Sequence, residues 1–326
     1  MFGMYQVRHP SRSEFVAIRS HSYHVRLWGN PARKQPPLFL LHGWMDVGAS
    51  WQFVVDALPP EWLADRWVIA PDWRGFGLSR ERHVREGEVP ACYGMADHYF
   101  FADYLGDLDA LIDHCLQVLG VPESTPVDLV GHSMGGNVVM TYGGVRPARV
   151  RRLINLEGFG MPASRPAQAP GRYARWLDEL KALRQGELGL KAYDSLDGVA
   201  RRLMKTNRRL GADKAQWLAS HWAARNAEGQ WAVLGDAAHK VISAQLYRLD
   251  EMQEVFRRIT APVLAVEASD DSLAQWYTQG EHTLAQYHDR LQAVPDCRTA
   301  VVDDAGHMLH HDQPAAVARL IADFLR

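Results

Sequence analysis

Cysteine is scarce in this chain: Cys92, Cys115 and Cys297 are all there is in 326 residues. The number is odd and no Cys-x-x-Cys pair occurs, which excludes a disulfide framework and the common cysteine-based zinc motifs. All three read as structural, in a reducing compartment. An excess of charge is missing too: 36 Lys and Arg against 38 Asp and Glu leave a net charge of −2. So balanced a chain has no generic attraction for nucleic acid or for an anionic membrane. The Arg-rich stretch RRLMKTNRRL (201–210) reads first as a solvated helix face, with anion binding as the alternative. No apolar run is long enough to cross a bilayer. Residues 1–15, MFGMYQVRHPSRSEF, are too polar for a signal peptide, so a cytoplasmic protein is expected. Internal repeats and low-complexity tracts are also lacking. What is present is an ordinary globular composition, 47% hydrophobic and 23% charged, in a chain long enough to bury a large core without disulfides or metals.

Along the chain, EFVAIR (14–19) and HVRLW (24–28) predict two short antiparallel strands. Six near-continuous apolar runs follow, at 36–43, 67–72, 126–133, 150–158, 261–269 and 298–307. Runs of that kind suit strands covered on both faces, hence a mainly parallel sheet. Helical periods lie between several of them. Residues 100–120 place Tyr104, Leu108, Leu111, Ile112, Cys115 and Leu119 on one face, with Gly120 as the cap; residues 314–326 start with proline and turn Val317, Leu320, Ile321 and Phe324 inward. The alternation predicts a doubly wound α/β sheet. It breaks once, from 158 to 257, where a proline-rich loop leads into helical segments carrying Trp176, Trp217, Trp222 and Trp231. The expected organisation is a core of residues 1–157 and 258–326 with a helical cap inserted at 158–257.

The chemistry concentrates at DLVGHSMGGNVVM (128–140), where a buried strand ends in glycine and a helix starts near Gly135. A strand-to-helix turn this tight forces its central residue, Ser133, into an unfavourable backbone conformation. Glycines flank it because a Cβ on either side would clash. The turn presents the serine oxygen at the carboxyl edge of the sheet beside a helix N-terminus, where backbone N–H groups stabilise a developing oxyanion. A serine hydroxyl needs a base. His307, in DDAGHMLHHDQP between the last strand and the last helix, is placed to reach it; His310 and His311 read as solvent-facing or leading into the helix.

Together LLHGWMDVGASWQFVVDALP (40–59), PDWRGFGLS (71–79), GHSMGG (131–136) and DAGHMLHHDQP (304–314) resemble the α/β-hydrolase family, and the first stretch is especially similar to its serine hydrolase-like branch. The resemblance covers nearly the whole chain outside the inserted segment. It implies a Ser–His–acid triad with Ser133 as nucleophile and His307 as base. It also implies an oxyanion hole built from the backbone N–H groups of Met134 and Trp44. For the acid it implies Asp271, after the strand APVLAVEAS, or in a subset Glu157, one strand earlier; Asp271 is the first choice. Asp72 and Arg74 read as loop-fixing residues.

These features predict a serine hydrolase that cleaves a carboxylic ester or related acyl bond of a small apolar substrate, with no metal and no cofactor. Carbon–carbon and thioester hydrolysis use the same triad. A weakly catalytic small-molecule receptor on this fold is a further alternative. A metallohydrolase built on DDAGHMLHHD has little support, since His307 and His310 lie three apart and no H-E-x-x-H occurs.

Overall fold

The structure is a computed structural model and describes residues 4–30, 35–81 and 96–326. Its central sheet contains β1 (Arg12–Ile18), β2 (His21–Gly29), β3 (Leu38–Leu41), β4 (Trp67–Pro71), β5 (Val127–His132), β6 (Val150–Leu156), β7 (Val263–Ala268) and β8 (Cys297–Val302). Their order is β1-β2-β4-β3-β5-β6-β7-β8, and the short strand Arg80–Glu81 also pairs with β2. From β4 to β8 every pairing is parallel, while β1 and β2 are antiparallel to their neighbours. All the strands anticipated for the core are therefore present.

Among the described residues eight longer helices accompany them: α1 (Phe101–Leu119), α2 (Met134–Val145), α3 (Ala169–Arg184), α4 (Leu196–Thr206), α5 (Ala212–Trp222), α6 (Leu249–Arg257), α7 (Leu284–Leu291) and α8 (Pro314–Phe324). Residues alternate along each strand between the two faces of the sheet. Phe39, Leu41, Ile69 and Leu129 pack with Leu108, Leu111 and Ile112 of α1 and Val138 and Val139 of α2. Leu38, Leu40, Val68, Ala70 and Val130 pack on the opposite side with Val317 and Ile321 of α8. Burying each such side chain contributes roughly 1.5–3 kcal/mol, which fixes strand register, since a one-residue slip would exchange the two faces. Gly120 closes α1 in the left-handed conformation, φ 64°. Cys115 and Cys297 are free thiols; Cys92 lies outside the described residues.

The parallel strand order reverses between β3 and β5: the chain leaves β3 toward β4 on one side and leaves β5 toward β6 on the other. In open α/β sheets such a reversal opens a crevice at the carboxyl ends of the strands. Here those ends carry the 42–46 loop and Ser133.

Residues 158–257 contribute α3 to α6, and also a small antiparallel sheet of Ala192–Tyr193, Trp231–Val233 and Ala223–Arg225 that the sequence pattern does not reveal. Strands of two or three residues are too short to show a period of two. Val199, Leu203, Ala215, Trp217 and Leu218 form an apolar cluster that also takes in Val47 and Phe53 of the core, so Trp217 is a packing residue. The same segment is pinned elsewhere by Arg209 to Asp270 (2.7 Å) and Asn207 to Asp312 (2.7 Å). By contrast, α3 has no buried residue. Among the described residues no helix is long and apolar enough to cross a membrane.

Two histidines bond this segment to the core as neutral rings. His239 is stacked between Phe76 (centroids 3.8 Å apart) and Tyr99 (3.9 Å), and burial lowers its pKa from 6.5 to about 3. His221 Nδ1 accepts a hydrogen bond from Arg26 (2.9 Å); burial, then the guanidinium charge, lowers its pKa to about 4. Both rings bind a proton less readily folded than unfolded, so the unfolded chain takes up protons first as pH falls. Their contribution is therefore complete above about pH 6.5 and is lost progressively below it. Urea unfolding should give the same midpoint at pH 8 and pH 7 and a lower one at pH 5, with a shallower loss in His221→Gln. A midpoint unchanged from pH 7 to pH 5 would contradict this account.

Candidate active site

The serine turn is held by contact between backbones. A Cβ on Gly131 would lie 2.2 Å from the Gly135 oxygen, and a Cβ on Gly135 would lie 2.2 Å from the Leu41 oxygen. Neither position has room for one, so α2 starts close against the ends of β3 and β5. Ser133, between them, is driven to φ 53° and ψ −114°, a conformation that L-residues rarely adopt. It is fixed there by its own N–H donating to the Leu156 oxygen (2.8 Å) and by its carbonyl accepting from Asn137 N (3.0 Å).

His307 reaches Ser133 from the loop after β8. Its Nε2 lies 2.9 Å from Ser133 Oγ and its Nδ1 lies 3.2 Å from Glu157 Oε2. A carboxylate can only accept, so the ring proton sits on Nδ1 and Nε2 keeps its lone pair for the serine hydroxyl. The loop is anchored by His132, whose Nε2–H donates to the His307 carbonyl (2.7 Å), and Trp276 packs edge-on against the His307 ring at 4.4 Å between centroids.

The carboxylate that meets His307 is thus Glu157, not the first choice, Asp271. Asp271 caps the short helix Ser272–Trp276, its Oδ1 accepting from Ala274 N (2.8 Å). Asp270 pairs with Arg209. The turn after β7 instead sends Ser272 inward, and its hydroxyl donates to Glu157 Oε2 (2.7 Å); Ala268 N donates to Oε1 (2.8 Å). Glu157 is buried and leaves β6 at φ 56°. Asn155 holds that exit, bridging both the N–H (3.0 Å) and the carbonyl (2.9 Å) of Gly158 and reaching the Tyr287 hydroxyl. Neither Asn155 nor Ser272 carries a motif signal. A polar residue within the apolar run 150–158 is the only hint of the first.

The 42–46 loop crosses beside the serine: a Cβ on Gly43 would come within 3.1 Å of Ser133 Cβ. Trp73 N donates to His42 Nε2 (2.8 Å), so His42 Nδ1 carries the proton and donates to the Gly43 oxygen (2.7 Å). Burial lowers the His42 pKa and keeps this ring neutral. Because a peptide bond is planar and trans, the Trp44 N–H points away from the oxygen that His42 holds. Met134 N opens α2, at the positive end of its dipole. Trp44 itself is 52% exposed.

The loop-fixing residues behave as expected. Asp72 accepts from Gly48 N (2.7 Å), Leu78 N (2.8 Å) and His24 (2.8 Å), and Arg74 forms a two-pronged pair with buried Asp107. Of the two sequence readings for His310 and His311, the structure keeps the approach to the last helix and overturns solvent exposure. The short helix Leu309–Asp312 buries both, against Trp51 and Phe53 respectively. Five non-glycine residues among those described have positive φ: Arg19, Met45, Ser133, Glu157 and Asp304. All but Arg19 lie in the four loops that meet at this site, and such strain concentrates where surrounding structure holds functional geometry.

The model of the alpha/beta hydrolase family matches residues 38–320. The chain is 24% identical over 314 residues to a serine hydrolase-like protein of Danio rerio, covering 92% of this chain and 84% of that protein. It is 34% identical over 128 residues to a 2-hydroxymuconate semialdehyde hydrolase of Pseudomonas sp. (strain CF600), a match to 38% of this chain and 37% of that one. Among solved structures, the thioesterase domain from the curacin biosynthetic pathway superposes with a TM-score of 0.76 at 21% identity, covering 96% of this chain and 99% of that one. With its sheet order and a family match spanning most of its length, the chain belongs to the alpha/beta hydrolase family and is a hydrolase.

Proposed function

We propose that this hydrolase cleaves a carboxylic ester, or a related acyl bond, of a small apolar substrate through an acyl-enzyme on Ser133. The observation that carries the reading is the continuous hydrogen-bonded series Ser133 Oγ, His307 and Glu157, with 2.9 and 3.2 Å contacts. Ser133 Oγ attacks the acyl carbon while His307 Nε2 takes its proton; His307 then returns that proton to the leaving oxygen. Water repeats the sequence to release the acid. Glu157 stays ionised and stabilises the imidazolium that forms in each step. The N–H groups of Met134 and Trp44 receive the oxyanion.

The apolar side chains exposed beside the site, Trp44 next to Gly43 and Trp276 against His307, favour an apolar acyl or alcohol group. In this reading residues 158–257 act as a lid, with α4 and α5 anchoring it to the core and α3 tied within it through Arg172 to Ser243 and Glu179 to Ile242. Carbon–carbon hydrolysis is the second reading, favoured by the local 34% identity to the 2-hydroxymuconate semialdehyde hydrolase.

Two measurements test these readings. Ser133→Ala should lower kcat by about 10⁴–10⁶. Glu157→Gln should lower it by about 10⁴, because the amide favours the wrong imidazole tautomer, whereas Asp271→Asn, which keeps a good helix cap, should stay within about tenfold. The opposite ranking would return the acid to Asp271. A panel of apolar esters, thioesters and vinylogous diketones, compared by kcat/KM, separates the substrate classes: esters leading supports the first reading, and diketones alone being turned over would replace it with the second.

A further inference from the structure

Next to the serine turn, three side chains from three loops converge. Asp46 comes from the loop after β3, His132 from the end of β5, and His310 from the short helix after the His307 loop. All are buried: His310 0%, His132 1% and Asp46 3% exposed. One ligand atom from each lies within 4.8 Å of the other two, and His310 Nε2 is 3.8 Å from Asp46 Oδ2.

Their polar atoms are left over after every other bond is made. Asp46 Oδ1 accepts from Val47 N (2.9 Å), Trp222 Nε1 (3.0 Å) and Ser50 Oγ, yet Oδ2 has no donor. His132 uses Nε2–H on the His307 carbonyl, which leaves a lone pair on Nδ1 that accepts no hydrogen bond among the described residues. Among the described residues neither nitrogen of His310 has a hydrogen-bond partner, Nε2 facing Asp46 Oδ2 from 3.8 Å. Buried polar atoms are almost always satisfied, and each one that is not costs about 1–3 kcal/mol. A cation between them would meet one atom of each residue at once, the carboxylate oxygen and an imidazole nitrogen from each ring.

We propose that Asp46, His132 and His310 form a binding site for a divalent transition-metal ion of the zinc or cobalt type. Two imidazole nitrogens and one carboxylate oxygen suit such an ion, whereas magnesium and calcium prefer all-oxygen sets. Around a tetrahedral zinc with bonds of about 2.0 Å the ligand atoms stand about 3.3 Å apart, so the three side chains close in by roughly 1 Å on loading. The ion ties together the loops that carry Trp44, Ser133 and His307, so it is a structural clamp. It includes none of Ser133, His307 and Glu157, so the site stands or falls independently of the acyl-transfer reading. Because the ligands are closed off from solvent, the ion enters as the chain folds.

The full-length chain, expressed in zinc-supplemented medium and passed over a chelating resin, tests the site by elemental analysis. About one zinc per chain is expected, with an anomalous peak between the three side chains in crystals measured at the zinc edge. His310→Gln and Asp46→Asn should each lose the zinc while circular dichroism stays that of the wild type. Less than about a tenth of an equivalent in the wild type, a peak located elsewhere, or folded variants that keep a full equivalent would overturn the proposal. If both variants fail to fold, the position of the wild-type peak decides alone.

Discussion

The candidate active site depends on the absence of space for a Cβ on either side of Ser133. Gly131 and Gly135 let the first turn of α2 sit directly on the ends of β3 and β5, with backbone where a side chain would otherwise be. That contact drives Ser133 into its strained conformation and lifts its hydroxyl out of the sheet. It also sets Met134 N at a helix N-terminus and brings Gly43 against the serine from the other side. The sheet core on both faces holds these backbones together; the strain at one residue is small beside the burial of several leucines and isoleucines per layer.

The site is otherwise assembled by second-row contacts that each fix one torsion. His42 orients the Gly43 carbonyl, His132 anchors the His307 backbone, and Asn155 holds the exit from β6. Ser272 and Ala268 saturate the Glu157 carboxylate from the neighbouring strand, so it meets His307 in one orientation. Preorganisation of this kind lets a transition state be stabilised without reorganising the protein during reaction.

Much of this was legible in the sequence. The parallel strands announce themselves as apolar runs, and the glycine-flanked serine and the histidine before the last helix carry signals strong enough to single out two residues that the structure brings to 2.9 Å of each other. The carboxylate that faces His307 was less legible, because Asp271 and Glu157 both follow a strand and both are carboxylates. What separates them is which residue of the turn after β7 points inward, and there Ser272 takes the position while Asp271 turns to cap a helix. That choice depends on packing between strands distant in sequence, which no local pattern records. The burial of His310 and His311 was hidden for the same reason: a short helix packed on Trp51 and Phe53 looks, in sequence, like a polar loop. The small sheet within 158–257 was hidden by its length.

A crystal structure of the chain after reaction with an alkyl fluorophosphonate tests the central claim most directly. The account predicts phosphorus bonded to Ser133 Oγ, a phosphonyl oxygen within hydrogen-bond distance of Met134 N and Trp44 N, and His307 Nδ1 still on Glu157. Phosphorus on any other residue, or a His307 ring turned to Asp271, would contradict it.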